Sequence, residues 1–137
     1  MKKTTNWRIG AVVTARNEEQ TIGKCLASLR NQTIDLILTV VNDGSTDRTG
    51  EIASRYAGFL VNLPSHTENW AGRPELAKVF NAGLGVLKRR PVDYVLVSGA
   101  DSLYPSYYVE EIVHRMKKRN IVISSGIAEG EASRSSS

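Results

Sequence analysis

Carboxylates that follow apolar, β-branched runs are where this sequence could do chemistry. Val40-Val41-Asn42-Asp43-Gly44-Ser45-Thr46-Asp47 ends such a run in a carboxylate, a glycine turn and residues suited to a helix start. At the carboxyl edge of a sheet Asp43 can accept hydrogen bonds from a nucleotide base or ribose. The same pattern also suits an ordinary turn in which Asp43 and Asp47 cap nearby amides. Val97-Ser98-Gly99-Ala100-Asp101-Ser102 repeats the arrangement with one carboxylate. Asp101 is the hard oxygen ligand that a divalent metal bridging a diphosphate requires, and equally a residue that can cap a turn. Val13-Thr14-Ala15-Arg16-Asn17-Glu18-Glu19 follows a third apolar run, and its glutamates favour a helix N-terminus. It lacks the glycines of a dinucleotide fingerprint or a P-loop, so a nucleotide bound there is held by side chains and helix-terminal amides. Trp70-Ala71-Gly72-Arg73-Pro74-Glu75, with Lys78 and Asn81, adds cations and an amide. Arg73 and Lys78 suit either a base or phosphates, or plain solvent exposure. His66 and His114 show no partner pattern and read as structural or solvent-facing.

The elements that must position these segments alternate along the chain. Strands are expected at residues 9–14, 36–41, 59–63, 94–97 and 121–123. Between them Ile22, Cys25, Leu26 and Leu29 repeat at helical spacing, with Asn17 as the cap and Gln20 reaching back. A short helix over residues 47–56 would be capped by Ser45 or Thr46. Leu76, Val79, Phe80, Gly83, Leu84 and Leu87 form another helical stripe, and residues 106–119 a last helix with Val109, Ile112, Val113 and Met116 inward. Strand–helix alternation implies right-handed crossovers and a mostly parallel α/β sheet with helices on both faces. Ligands on such sheets bind beyond the carboxyl ends of the strands, where all the segments above lie.

With 137 residues, 41% of them hydrophobic and 23% charged, the chain fits one ordinary globular domain. No apolar run is long enough to cross a bilayer, and the start, Met1-Lys2-Lys3, leads into a strand rather than a signal peptide. A cytoplasmic protein is therefore expected, with peripheral membrane contact left open. The lone Cys25 has no internal disulfide partner and sits on an apolar helix face, so it reads as core. The net charge of +4 gathers in Lys88-Arg89-Arg90 and in Arg115, Lys117, Lys118 and Arg119. Cations suit helix C-termini, and no nucleic-acid motif accompanies them, so no nucleic-acid partner is expected. A domain at residues 1–125 is followed by a serine-rich, aperiodic stretch at 126–137, expected to begin an acceptor-side region of a longer protein.

In order and phasing these segments resemble the family 2 glycosyltransferases of the GT-A fold, a Rossmann-like α/β architecture. The resemblance runs from about Arg8 to Ile123. It is carried by Thr14-Ala15-Arg16-Asn17-Glu18, Ser28-Leu29-Arg30-Asn31-Gln32, Asn42-Asp43-Gly44-Ser45-Thr46-Asp47 and Asn81-Ala82-Gly83-Leu84, and by Gly99-Ala100-Asp101 in the place of the family's Asp-x-Asp. Two positions depart from the pattern: Gly99 replaces the first aspartate of that motif, and Asn42 replaces another family aspartate.

The resemblance implies transfer of a sugar from a UDP- or GDP-sugar to a hydroxyl of an unknown acceptor, with inversion and with Mg²⁺ or Mn²⁺. It implies that Thr14, Ala15 and Glu18 line the nucleoside pocket and that Asp43 faces the base. Arg73 or Lys78 would approach the base or diphosphate, and Ala100 and Asp101 the diphosphate, with the metal on Asp101. The family's catalytic base lies downstream of Asp-x-Asp; it has no counterpart before Ser137, and Glu129 and Glu131 are not nominated. A non-catalytic module of the same fold is the alternative. A nucleotidyltransferase is disfavoured by the missing Gly- and Arg-rich loop after the first strand.

Overall fold

The computed structural model describes residues 2–70 and 72–119. The elements follow in the order β1 (Ile9–Ala15), α1 (Ile22–Arg30), β2 (Ile37–Asp43), α2 (Thr49–Ser54), β3 (Phe59–Leu63), α3 (Pro74–Leu87), β4 (Tyr94–Gly99) and α4 (Tyr108–Arg119). The four strands form one sheet in the order β3-β2-β1-β4. Every pair is parallel, with Val13 opposite Val40 on one side and Ser98 on the other. This is the expected parallel α/β sheet. The fifth strand and the tail lie outside the described residues.

The side-chain alternation of β1 divides the core in two. Ile9, Ala11, Val13 and Ala15 pack with Leu38 and Val40 of β2 against α1, α2 and α4. On the opposite face Val12 and Val41 meet Val79 and Leu87 of α3. Helices therefore cover both faces. The fully buried Ile22, Leu26 and Leu29 of α1 each contribute about 1.5–3 kcal/mol by leaving water. Gly83 lets α3 approach β1 and β2 closely, since a Cβ there would overlap the Val12 and Val41 side chains. Beside α3, Val95 and Val97 of β4 remain exposed.

Strands β1, β2 and β4 run one or two residues further than their apolar runs, because polar residues continue the ladder: Ala15 pairs Asn42, Asp43 pairs Leu63 and Thr14 pairs Gly99. Helix starts lie later than expected. Residue Thr21, not Asn17, occupies the cap position of α1, without a side-chain cap. Asn17 is instead in the left-handed region, φ 53°, and its side chain bonds another loop. Similarly α2 begins at Thr49, behind Asp47, whose carboxylate takes the Thr49 amide at 2.9 Å. Ser45 and Thr46 are used elsewhere. Cys25 is buried in the core as expected, and burial pushes its thiol up to about 11. The cations Lys117, Lys118 and Arg119 occupy the last turn of α4, where they complement the helix dipole. No helix among the described residues is long and apolar enough to cross a membrane.

Candidate functional site

The loops after β1 and β2 are built as one unit. Asn17 donates its amide to Ser45 Oγ at 3.0 Å, and its Oδ1 accepts from the Thr46 amide at 2.8 Å. Glu18 donates its amide to Thr49 Oγ1 at 2.8 Å, and Glu19 donates its own to Asp47 Oδ2 at 3.2 Å. Burial pushes Asp47 up, but hydrogen bonds from the Thr49 hydroxyl and amide and from the Glu19 amide outweigh it and hold the carboxyl below its ordinary value. The turn itself demands glycine: Gly44 has φ +62°, and a Cβ would stand 2.5 Å from the Pro64 carbonyl oxygen and the Ser65 Cα. Asn42, in place of the family aspartate, accepts the Ser45 amide and donates to Asn62 Oδ1 at 3.0 Å.

A second set of bonds fixes the turn after β4. Gln32 is buried at the end of α1, where its Nε2 donates to Ser28 O at 3.1 Å and Pro105 O at 2.7 Å while its Oε1 accepts the Val109 amide at 3.0 Å. Ser28 Oγ accepts the Tyr104 amide, and the Tyr104 hydroxyl donates to Ser98 Oγ at 2.7 Å. The Ser-Leu-x-x-Gln segment is thus a brace that connects α1, α4 and the chain around Asp101.

These loops enclose a cleft of about 630 Å³ at the carboxyl edge of the sheet, and its lining includes Thr14, Ala15, Glu18, Asp43, Ala100 and Asp101. Six of the eight nominated residues therefore meet in one place. Arg73 and Lys78 do not line it. Both are exposed at the start of α3, and Arg73 is engaged by Glu68 at 3.3 Å and Glu75 at 3.6 Å. Asp101 is exposed, and among the described residues there is no cluster of three or more His, Cys, Asp or Glu able to hold a metal.

Asp43 departs from the picture of an open strand-end carboxylate. Its side chain is 6% exposed; Oδ2 is 3.0 Å from His66 Nε2, and Oδ1 is buried with no hydrogen-bond partner among the described residues. A histidine read as structural or solvent-facing thus touches a nominated site residue. The ring of His66 also stacks on Trp70, a cleft residue, at 3.5 Å and 6°. Arg16 ties this loop down, its guanidinium donating to the backbone carbonyls of Glu68 and His66 at 2.6 Å each. Only the β2–β3 register could have placed His66 beside Asp43, because Asp43 pairs with Leu63 and the loop leaves from there.

The model of Glycosyl transferase family 2 matches residues 11–135. The chain belongs to that family. Over 75 residues it is 37% identical to the 4,4'-diaponeurosporenoate glycosyltransferase of Staphylococcus aureus strain USA300, a match covering 52% of this chain and 20% of that protein. The fold is that of solved GT-A transferases. The S. aureus TarS complex with UDP superposes with a TM-score of 0.66 at 22% identity, over 82% of this chain and 33% of TarS. The mannosyltransferase PcManGT of Pyrobaculum calidifontis, solved with GDP-Man and Mn²⁺, gives 0.58 at 23% identity, over 74% of this chain and 30% of that one. The family member described here thus spans about a fifth of its curated relatives and a third of the solved ones.

Proposed function

We propose that the cleft binds a nucleoside diphosphate sugar, UDP- or GDP-linked, and that the whole protein transfers the sugar to an acceptor hydroxyl with inversion. Residues 1–125 form the donor domain in this reading, and residues 126–137 begin the acceptor-side region. The observation that carries it is the meeting of Asp43 and Asp101 in one cleft at the carboxyl edge of a parallel sheet. The cleft's volume is in the range of small-molecule sites. TarS in complex with UDP-GlcNAc and PcManGT with GDP-Man support the ligand class by likeness.

Thr14, Ala15 and Glu18 wall the nucleoside, Asp43 accepts from the base, and Ala100 and Asp101 face the diphosphate. Arg73 or Lys78 approaches only if α3's first turn moves or the donor extends toward it. A single exposed carboxylate fits Mg²⁺ or Mn²⁺ as a partial shell that diphosphate oxygens complete, the common arrangement at phosphate sites. Such an ion would neutralise charge on the leaving diphosphate. Gly99, in place of a carboxylate, favours a second reading: a module that binds the donor without turnover. Assay of sugar transfer by the full-length protein separates the two.

Calorimetric titration of UDP, with and without Mn²⁺, tests the donor reading. UDP and metal should bind with coupling on the order of 1–3 kcal/mol, reduced in Asp101→Ala. Asp43→Ala should weaken UDP by about 1.5–3 kcal/mol through loss of a charged acceptor. Unchanged affinity in Asp43→Ala removes that residue from the site, and UDP affinity indifferent to Mn²⁺ removes the metal.

A further inference from the structure

The cations of the chain gather at the edge of the sheet opposite the cleft, where the strands begin. Lys2, Lys3, Arg8 and Arg90 stand there around a second hollow of about 610 Å³, together with Trp7 and Asp35. Arg90 lies over the ring of Phe59, the first residue of β3, at 4.2 Å. Lys117 lies over the ring of Trp7, just before β1, at 4.9 Å. These two contacts bring the α3–β4 connection and the end of α4 to the same edge as the start of the chain. Lys88 and Arg89 precede Arg90, and Lys118 and Arg119 follow Lys117 in the last turn of α4.

Nearby carboxylates do not neutralise this charge. Asp35 pairs Lys2 at 3.8 Å, Glu110 pairs Lys3 at 2.8 Å, and Asp93 accepts the backbone amide of Arg8 at 2.8 Å. Among the described residues Arg8, Lys88, Arg89 and Arg90 form no ion pair, nor do Lys117, Lys118 and Arg119. All of them are exposed. The dipole of α4 accounts for the cations of its last turn, and that of α3 for Lys88 at its cap. Arg8, ahead of β1, and Arg89 and Arg90, past the cap, answer to neither.

We propose that this amino edge is a docking surface for a membrane that carries anionic phospholipid. The layout favours lipid over nucleic acid. The cations come from three separate stretches of chain and spread along an edge, which suits a planar surface of many mobile charges. A duplex takes a helix or a β-ribbon into its major groove, and this edge presents helix ends. A single strand stacks its bases on aromatic faces, and here Arg90 and Lys117 occupy those of Phe59 and Trp7. Clusters of about four to eight Lys and Arg are the size that anionic membranes attract, and each cation near the lipid strengthens attachment by about fivefold. Docked in this way, the cleft sits at the far end of strands about 20 Å long and opens to water. The inference does not depend on the cleft being a donor site.

Co-sedimentation with vesicles is the test. Vesicles of equal parts phosphatidylcholine and phosphatidylserine should retain the chain at low salt, and vesicles of phosphatidylcholine alone should not. Added sodium chloride should release it, because salt shortens the reach of the attraction. Lys88→Ala/Arg89→Ala should weaken retention by about twenty- to thirtyfold. Its Tm should not change, since both side chains are exposed and unpaired. Lys24→Ala/Arg48→Ala makes the same change of net charge at exposed positions near the starts of α1 and α2, and should leave retention nearly unaltered. A UDP titration of the vesicle-bound chain should give the affinity of the free chain, because lipid and cleft occupy opposite edges. Loss of UDP affinity on vesicles overturns that orientation, whereas absence of UDP binding with and without vesicles counts against the donor reading alone. Equal retention on the two kinds of vesicle overturns the proposal. So does an equal loss in the two double variants, which would make net charge alone responsible. Duplex DNA held as tightly as the mixed vesicles, at the same salt, would assign the edge to nucleic acid instead.

Discussion

A carboxylate at Gly99 is the sharpest test of whether this cleft holds a metal, as the proposed function requires. The backbone there permits a side chain: Gly99 is not among the positive-φ glycines, and among the described residues the only atom near an added Cβ is Asp101 Oδ1, at 3.4 Å. Gly99→Asp therefore sets two carboxylates side by side on an exposed edge. At about 4 Å two like charges repel by about 1 kcal/mol in water and about 4 kcal/mol at an intermediate dielectric. Both positions face solvent, so the lower figure applies. Without metal the variant should be less stable by about 1 kcal/mol, a few degrees in Tm for a chain of this size. With Mn²⁺ the sign reverses, because two carboxylates now share one cation. At a hundredfold excess over Kd, metal binding stabilises the folded state by about 2.7 kcal/mol, which exceeds the repulsion. Thermal unfolding in chelator, in Mn²⁺, and in Mn²⁺ with UDP reads all three states. The wild type should respond to Mn²⁺ only when UDP is present. If Gly99→Asp melts at the same temperature with and without Mn²⁺, even with UDP, position 99 does not face the metal, and the placement of the ion beside Asp101 is wrong.

Gln32→Ala should destabilise the chain by about 1–3 kcal/mol, since it leaves the buried Val109 amide without its acceptor; a change in denaturant midpoint equivalent to less than about 0.5 kcal/mol would place that brace among ordinary surface contacts. Asp47, held below its ordinary value, contributes stability that is complete above about pH 4 and is lost as pH falls through the folded value. Acid unfolding of Asp47→Asn should accordingly lack that part of the wild-type loss, and superimposable acid limbs would contradict the tie between the loops. The basic helix ends should give no duplex DNA binding that survives physiological salt, about 0.15 M; retention measured by fluorescence anisotropy at that salt would show a nucleic-acid surface.

Strands were legible because a buried parallel sheet needs near-continuous β-branched runs, and β3 at Phe59–Leu63 coincides with its run. The strand ends were not, since Asn42, Asp43, Ser98 and Gly99 pair by backbone while their side chains carry no apolar signal. Helix starts failed for a different reason. Capping rules are local, and Asn17 and Ser45 direct their side chains to each other's loops about 29 residues away, while Asp47 divides its carboxylate between Thr49 at the start of its own helix and the Glu19 amide. Asp43 and Asp101 could be picked out as cleft residues because each follows a strand; His66 could not, because its relation to Asp43 exists only once β2 and β3 are in register.

That distinction changes what the Asn42–Asp47 segment means. Of its residues, Gly44 is required by a positive φ against the Pro64 backbone, Asn42 by the bonds to Ser45 and Asn62, and Ser45, Thr46 and Asp47 by the lock onto the Asn17–Glu19 loop. Asp43 alone has a carboxylate oxygen that nothing in the described residues satisfies. A buried carboxylate oxygen left without a partner costs about 1–3 kcal/mol. The motif is therefore mostly scaffold, with Asp43 the one residue that the proposed function assigns to the donor. Substitutions at the scaffold positions should register first as loss of stability and only through it as loss of binding, whereas Asp43→Asn, which keeps a hydrogen-bonding side chain beside His66, should register in binding beyond its effect on stability. Comparing the two effects at each position separates the residues that hold the cleft from those that use it.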